Sequence, residues 1–399
     1  MTVTVIGVSA ADTLSADAIG ALQSARLVVG SRDNLARAAI GDDVERIELG
    51  PLAPAIDRLR SSDLPAAVVA SGDPGLFGIA RVLRESGIDV RVLPAVSSVA
   101  AAFAQVGLPW DDAVVVSAHG RDLNPALNAC RAFERVAVLT APGSGAVELA
   151  RGLRGWTREL VVAERLGLAQ ERITRKPAAE IAMLDADAFA APHVVLCLAP
   201  NSVSTMRRDN QPAAAPTAGW ALPETAYAHR DSMITKAEVR AYAVARLRPR
   251  LGRLVLDIGA GSGSVGIECA ALGAAVLSVE RDADACRLIA QNAASHGVQI
   301  RVVEGSAPEV LDDLPDPDAA FVGGGGLDAV RGVVRRHVHT VVAAFAALDT
   351  AIAAHRLLAD SGYHVEGTQL SAARLSELPG GSLRLAAINP VVVLTAELA

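Results

Sequence analysis

Lysine is almost missing from this chain of 399 residues: of its 37 basic residues only Lys176 and Lys236 are lysines, and the rest are arginines. Genomic base composition can produce that bias. So can a need for guanidinium forks, which grip carboxylates through two parallel bonds. Cysteine is scarce too. Cys130, Cys197, Cys269 and Cys286 stand far apart in apolar or helical settings with no Cys-x-x-Cys pair, which argues against a disulfide framework or a metal role and for buried thiols. No unbroken apolar run approaches the ~20 residues of a membrane span. The start, Met1-Thr-Val-Thr-Val-Ile, is strand-like and lacks the basic-then-apolar plan of a secretion signal, so a cytoplasmic location is expected. A net charge of −7 argues against nucleic acid as a partner. No Ser-His-Asp, Cys-His or metal-ligand constellation stands out, so no catalytic side chain and no metal site is assigned.

What the chain does have is core-forming material, 51% hydrophobic against 20% charged, in a length that suits two domains. Its organising stretch is Leu254-Val-Leu-Asp257-Ile-Gly259-Ala-Gly261-Ser-Gly263. An apolar run enters a loop of alternating glycines, a helical pattern follows from Ser264 to Leu272, and a second apolar run, Ala274 to Val279, ends on Glu280. This is strand, glycine turn, helix, strand, acid: the opening unit of a nucleoside-binding α/β domain. Glycine is needed where backbone comes against a ligand, because a Cβ would fill that space. The acid at the second strand tip is placed to accept from two ribose hydroxyls. Gly261 to Gly266 also fits the dinucleotide pattern G-x-G-x-x-G, which leaves a nicotinamide-dependent oxidoreductase as the alternative. The acid before the glycines, giving Asp-x-Gly-x-Gly-x-Gly, favours S-adenosylmethionine.

Residues 1 to about 205 read as a first α/β block. Strands are expected at Thr2–Val8, Leu27–Gly30, Ala66–Ser71, Val90–Leu93, Ala113–Ser117 and Val136–Thr140. Helices are expected at 16–26, 76–85 and 98–106. From Glu159 the pattern turns strand-rich, with runs at 159–166, 172–174 and 193–199, so the block should split near residue 110. Its sharpest loop is Ser71-Gly72-Asp73-Pro74-Gly75, matched by the small-residue loop Pro94 to Ser98. Residues 201–223, proline- and alanine-rich, read as the linker, with 206–223 as its core. In the second block Thr235 is a candidate N-cap, paired with Glu238 in a capping box for a helix to Leu247. Strands near 254, 274, 300, 319, 341, 364 and 391, most separated by helices, fit a doubly wound sheet of seven strands.

Candidate site residues follow from the rule that open α/β sheets bind ligands beyond the carboxyl ends of their strands. Gly259, Ala260, Gly261, Ser262 and Gly263 would approach the methionine part of the cofactor, Glu280 would hold the ribose, and Gly305 to Pro308 would flank the adenine. Gly323 and Gly324 would line the substrate mouth. Arg335 and Arg336, in a basic cluster just beyond, are the pair expected to hold substrate carboxylates if the cluster is more than a solvated helix face. In the first block Gly72, Asp73, Pro74, Ser97 and Ser98 are the cofactor candidates. Arg121, and less so His119, would meet substrate.

Residues 1 to about 205 resemble the tetrapyrrole methylase family. The resemblance rests on Val5-Ile-Gly-Val8, Ser71-Gly-Asp-Pro-Gly-Leu-Phe-Gly78, Pro94-Ala-Val-Ser-Ser98, Gly107-Leu-Pro-Trp-Asp-Asp112 and His119-Gly-Arg121. One departure is Gly7-Val-Ser-Ala-Ala-Asp12, where the family usually has Gly-Pro-Gly. Residues 224–399 resemble the class I methyltransferases that methylate and decarboxylate in the cobalamin pathway. There the matches are Met233-Ile-Thr-Lys236, Asp257 to Gly263, Val303-Glu-Gly-Ser-Ala-Pro-Glu309, Leu314-Pro-Asp-Pro-Asp318, Val322-Gly-Gly324 and Asn389-Pro-Val391. The resemblance implies a two-lobed methylase fold joined to a Rossmann-like one, and S-adenosyl-L-methionine as cofactor. It implies that Thr235, Gly259 to Gly263, Glu280 and Ala307 bind that cofactor, and that the substrate is a small-molecule tetrapyrrole methylated at two carbons. A homo-oligomer is the expected assembly. One block that only binds cofactor, leaving a single active domain, is the remaining alternative.

Overall fold

The computed structural model describes all residues except 1, 10–13, 39, 201–219, 231–233 and 399. Most of the expected linker, the tail of the first glycine loop and Met233 lie outside the described residues. The chain divides into two compact units. The first comprises Met1–Arg121, Ala137–Arg151 and Arg158–Leu198, and the second Asp122–Val136, Gly152–Thr157 and Ala199–Ala399.

The first unit opens on a five-stranded parallel sheet, ordered Glu45–Glu48, Leu27–Gly30, Ala66–Ser71, Thr2–Val8, Asp89–Leu93. Its inner strands are continuous apolar runs, as a sheet covered on both faces requires. Val3, Val5, Leu27, Val29 and Val68 pack one face, while Ile6, Val28, Ala67 and Val69 pack the other. The second sheet is ordered Val114–Ser117, Arg135–Leu139, His193–Leu198, Glu159–Glu164, Arg172–Pro177, and its last three strands pair antiparallel. The expected split near residue 110 falls between the last strand of the first sheet, ending at Leu93, and the start of the second at Val114. The strand 45–48 and the helices Arg32–Arg37, Leu52–Arg60 and Asn124–Ala132 are additions to the elements expected from sequence.

The second unit is built on seven strands ordered Arg301–Glu304, Ala275–Glu280, Leu254–Ile258, Ala319–Val322, Thr340–Phe345, Val391–Leu398, Tyr363–Leu370. The first five run parallel, and the last two are antiparallel to their neighbours. Strand order reverses between 254–258 and 319–322, which is the switch point where ligands of open α/β sheets bind. A separate hairpin, Ala373–Glu377 with Leu383–Ala387, projects from the loop between the last two strands. Its turn signal is Pro379-Gly-Gly381. Among the described residues, no helix is long and apolar enough to cross a membrane. All four cysteines are free, and Cys130, Cys197 and Cys269 are buried.

One local expectation fails. The helix after Thr235 spans Ala237–Leu247 with Lys236 as N-cap, and no side chain caps it from that position. The Ala237 N–H donates instead to Glu224 (3.2 Å), and the Glu238 carboxylate pairs with Arg374 (2.7 Å). A tertiary acceptor has replaced the local capping box.

Candidate active site

Two of the alternating glycines, Gly259 and Gly261, line a cavity of about 900 Å³ in the second unit. Thr235, Gly259, Ala260, Gly261, Ser262, Glu280, Ala307, Gly323 and Gly324 all line it. Loops that follow four parallel strands thus come together, as the strand-end rule requires. Gly259 has φ +67°, and a Cβ on it would stand 2.5 Å from the Gly324 Cα. Two loops 65 positions apart in sequence therefore touch backbone to backbone. Only glycine permits that approach together with a left-handed φ.

Gly263 departs from the expectation. It does not line the cavity, and a Cβ there would meet Ile289 Cγ2 at 2.8 Å. Its role is to start the helix Ser264–Ala271 from a left-handed φ of +75°. Gly266, inside that helix, lets it close on the sheet: a Cβ would stand 3.0 Å from both Asp257 Oδ2 and Val276 Cγ1.

Glu280 is fixed by three backbone donors. Gly261 N–H gives to one carboxylate oxygen (2.9 Å), and the Arg281 and Asp282 N–H groups give to the other (2.8 and 3.0 Å). The carboxylate has about four lone-pair sites in all, so it can still accept from a ribose. Asn292 braces the turn from below, donating to the Ser262 and Ala228 carbonyls (2.9 and 2.8 Å).

Asp257 does not face the ligand space. It is buried beneath the turn, where one oxygen accepts from Gly266 N–H (3.0 Å) and the other has no partner among the described residues, as is also true of the buried Ser278 hydroxyl. Desolvation, with a smaller push from the Glu280 charge, raises its pKa to about 7 against the pull of the Gly266 hydrogen bond. A raised folded-state pKa means that the folded form holds its proton more tightly than the unfolded chain. Asp257 therefore favours folding at acid pH, and that contribution is lost as pH rises through about 7. Because the penalty builds up between the unfolded pKa of 3.8 and about 7, Asp257→Asn is expected to raise the melting temperature of the ligand-free protein clearly more at pH 8.5 than at pH 5.5. Equal shifts at both pH values in differential scanning fluorimetry would contradict this assignment.

A buried ion pair sets the remaining wall. Arg240 and Glu268 are almost fully enclosed and meet at 2.6 Å. Glu268 also accepts from the Ala221 and Leu222 N–H groups (2.9 and 3.1 Å) and from Tyr227 Oη (3.1 Å). Arg240 donates to the Thr235 carbonyl (2.7 Å) and to the Leu222 carbonyl, and lies over the Tyr227 ring. The pair ties described residues on both sides of 231–233 to two core helices, 237–247 and 264–271. Ile234, Thr235 and Lys236, on that strap, line the cavity. Nothing in the sequence announced this pair, because its partners lie 28 positions apart.

Arg336 and Arg335, expected as substrate contacts, do not line this cavity. Arg336 donates to the Leu311 and Leu314 carbonyls and pairs with Asp316, so its guanidinium is committed to the loop before strand 319–322. Both arginines sit at the C-terminal end of the helix Gly326–Arg335, whose N-terminal end adjoins the cavity. At about 1.5 Å per residue they stand some 13 Å along the axis from its mouth.

In the first unit three strand ends converge. Adjacent parallel strands 66–71, 2–8 and 89–93 deliver Gly72, Gly7 and Ala95 to one edge, where a Cβ on Gly7 would overlap the Gly72 carbonyl and stand 2.5 Å from Ala95 N. Asp73 Oδ1 accepts from Gly75 N–H (2.8 Å) and shapes the turn through Pro74. Ser97 caps the helix Ser98–Val106, accepting from Ala100 N–H (3.1 Å). The Arg121 guanidinium lies 5.6 Å from the Phe77 ring centroid, beside the 72–78 loop. His119 is exposed, and the contact found for it is its backbone N–H to Ser117 Oγ (3.3 Å). Among the described residues no group of three or more His, Cys, Asp or Glu side chains is placed to hold a metal ion.

A seven-stranded sheet that switches at a glycine turn, with an acid at the tip of the next strand, is the build of a class I methyltransferase. The two-sheet unit before it has the build of a tetrapyrrole methylase. Residues 2–182 match the family model for tetrapyrrole (corrin/porphyrin) methylases, and residues 225–394 match that for the precorrin methyltransferase domain. Precorrin-6Y C(5,15)-methyltransferase [decarboxylating] of Mycobacterium tuberculosis is 34% identical over 331 residues, 80% of this chain and 79% of its own. The Sinorhizobium protein of the same name is 37% identical over 66% of this chain; the match spans 62% of that relative's length. A probable cobalt-precorrin-6B C(15)-methyltransferase (decarboxylating) of Pyrobaculum calidifontis is 38% identical over 45% of this chain and 97% of its own. A solved structure of precorrin-6Y C5,15-methyltransferase from Geobacter metallireducens GS-15, 34% identical, covers 45% of this chain and 97% of its own at a TM-score of 0.42.

The chain belongs to the precorrin-6Y C(5,15)-methyltransferase (decarboxylating) family. It is an enzyme, and S-adenosyl-L-methionine is its methyl donor. The nicotinamide reading of Gly261 to Gly266 falls with that membership. The residues present fit the donor: bare backbone at Gly259 and Gly261, a pinned carboxylate at Glu280, and a cavity at the upper end of the few-hundred to ~1,000 Å³ range of ligand sites.

Proposed function

We propose that the enzyme methylates precorrin-6Y at carbons 5 and 15 and removes its ring-C acetate as carbon dioxide, giving precorrin-8X. In this reading residues 1–205 act at carbon 5, residues 206–223 link the domains, and residues 224–399 act at carbon 15 and decarboxylate. The carrying observation is the glycine-lined cavity at the strand ends of the second unit's sheet, to which the first unit adds strand ends that bring Gly7, Gly72 and Ala95 together. In this reading Gly72, Asp73, Pro74, Ser97 and Ser98 hold the donor in the first unit. Thr235, Gly259 to Ser262, Glu280 and Ala307 line the cavity of the second.

The donor supplies an already activated methyl group when bound. What the chain must add is in-line placement of the acceptor carbon at about 3–3.5 Å and exclusion of water, rather than an acid or base. Loss of carbon dioxide breaks the bond between the acetate carboxylate and its methylene. The electron pair passes into the conjugated macrocycle, and a proton taken up at the methylene leaves a methyl group.

Incubation of the full chain with precorrin-6Y and methyl-labelled donor is expected to add two methyl groups and release one carbon dioxide. The Gly259→Ala variant should add at most one methyl and release none. Carbon dioxide release at the wild-type rate from that variant would defeat the division of labour. A homo-oligomer is also proposed, supported by the exposed face that Leu375, Leu383 and Leu385 form on one side of the hairpin. Sedimentation giving only the mass of one chain would rule it out.

A further inference from the structure

We propose that Lys236 binds a carboxylate of the acceptor that is retained in the product, and so sets the acceptor's orientation in the second cavity. The inference rests on the reading of that cavity as a donor-and-acceptor site.

The cavity has two halves that its own strands define. Gly259 to Ser262, Glu280 and Gly305 to Pro308 follow the strands 254–258, 275–280 and 301–304, and make the nucleoside half. Gly323 to Gly325, Ala344, Ala346 and Val391 belong to strands 319–322, 340–345 and 391–398 or the loops beside them, and make the opposite half. The helix Ala237–Leu247 belongs to a core that spans both groups, with Val255 and Val276 as well as Phe321, Val342 and Val393, but the strands it mainly contacts are those of the second group, 319–322, 340–345 and 391–398. Lys236, the N-cap of this helix, is therefore delivered to the acceptor half.

The charges around it single it out. Of the other ionisable side chains on the cavity wall, Glu280 is held by backbone donors, Asp282 pairs with Arg230, and Asp328 pairs with Arg331. Arg281 and Glu309 lie with the nucleoside half. Among the described lining residues Lys236 is the one cation on the acceptor half, and it is half-buried. It is also one of two lysines in a chain otherwise using arginine. An ammonium is a compact point charge that can meet a carboxylate from several directions, whereas a guanidinium demands a planar, two-bond fit. Its backbone is held on both sides, by Arg240 at the Thr235 carbonyl and by Glu224 at the Ala237 N–H.

The carboxylate in question is one that stays. A cation on the departing acetate would stabilise the charge that must leave it, and would slow the loss of carbon dioxide. A cation on a retained side chain orients the macrocycle without that penalty.

The test uses full-length Lys236→Met and Lys236→Arg with precorrin-6Y, reading KM, kcat, carbon dioxide released per methyl added at carbon 15, and binding of S-adenosylhomocysteine by calorimetry. Lys236→Met is expected to raise the acceptor KM about tenfold or more, the scale of a lost charge-assisted hydrogen bond. Donor-product affinity, melting temperature and the ratio of carbon dioxide to methyl should stay unchanged, and Lys236→Arg should recover most of the KM. An unchanged KM, a fall in the carbon dioxide ratio, or a parallel loss of S-adenosylhomocysteine binding would each overturn the proposal. Failure of the wild-type protein to bind S-adenosylhomocysteine in this cavity would instead overturn the reading of the site on which it rests.

Discussion

Gly259→Ala should weaken donor binding in the second cavity by about a hundredfold or more. Two costs act together. A left-handed φ of +67° costs an alanine roughly 1–2 kcal/mol, and the new Cβ would press at 2.5 Å on the Gly324 Cα. The second cost dominates for function. Relief requires the 259–263 turn or the 323–326 loop to move, and a displacement of about 1 Å at a positioned site can cost a hundredfold. Gly297 supplies the control. It has nearly the same φ, +64°, but a Cβ added there would meet nothing within 4 Å. Gly297→Ala should lower the melting temperature slightly and leave donor affinity alone. If both substitutions weaken binding equally, contact between the two loops is not the cause.

The second large effect is expected at the ion pair. Arg240→Met strands the Glu268 carboxylate in the core, where its remaining donors are two backbone N–H groups and Tyr227. Removing one partner of a buried pair typically costs about 3–5 kcal/mol. For a unit of this size that is a fall of the order of 10 °C in melting temperature. Glu268→Gln should cost less, since it keeps the shape and one acceptor. Arg240→Met combined with Glu268→Leu should recover part of the loss, because neither charge then remains buried. Donor affinity should fall with Arg240→Met as well, since the Thr235 carbonyl loses its anchor. Stability within about 0.5 kcal/mol of wild type in Arg240→Met would show that the pair is not the clasp described here.

The two effects mark where sequence reasoning reached and where it stopped. The strands were legible because their apolar runs end on glycine or an acid, as at Ile258–Gly259 and Val279–Glu280, and such local punctuation survives folding. The cavity was legible for the same reason: one strand-end rule gathers Gly259, Glu280, Ala307 and Gly323. Thr235 reached the cavity, yet its expected capping box did not form, because Glu224 and Arg374 offered stronger partners from distant segments. Arg374 bridges Glu224 and Glu238, and its hydrogen bonds hold the Glu224 pKa down to about 2. Arg335 and Arg336 were placed by nearness along the chain, but a ten-residue helix carries them away from the mouth. The Arg240–Glu268 clasp, the touch of Gly259 on Gly324 and the place of Lys236 depend on which helix lies over which strand. No period or spacing in the sequence encodes that.

Calorimetric titration of the full chain with S-adenosylhomocysteine tests the central claim most directly. Two binding sites per chain are expected for the wild type, and one for Gly259→Ala. A single site in the wild type, or two sites that both survive in the variant, would contradict the account.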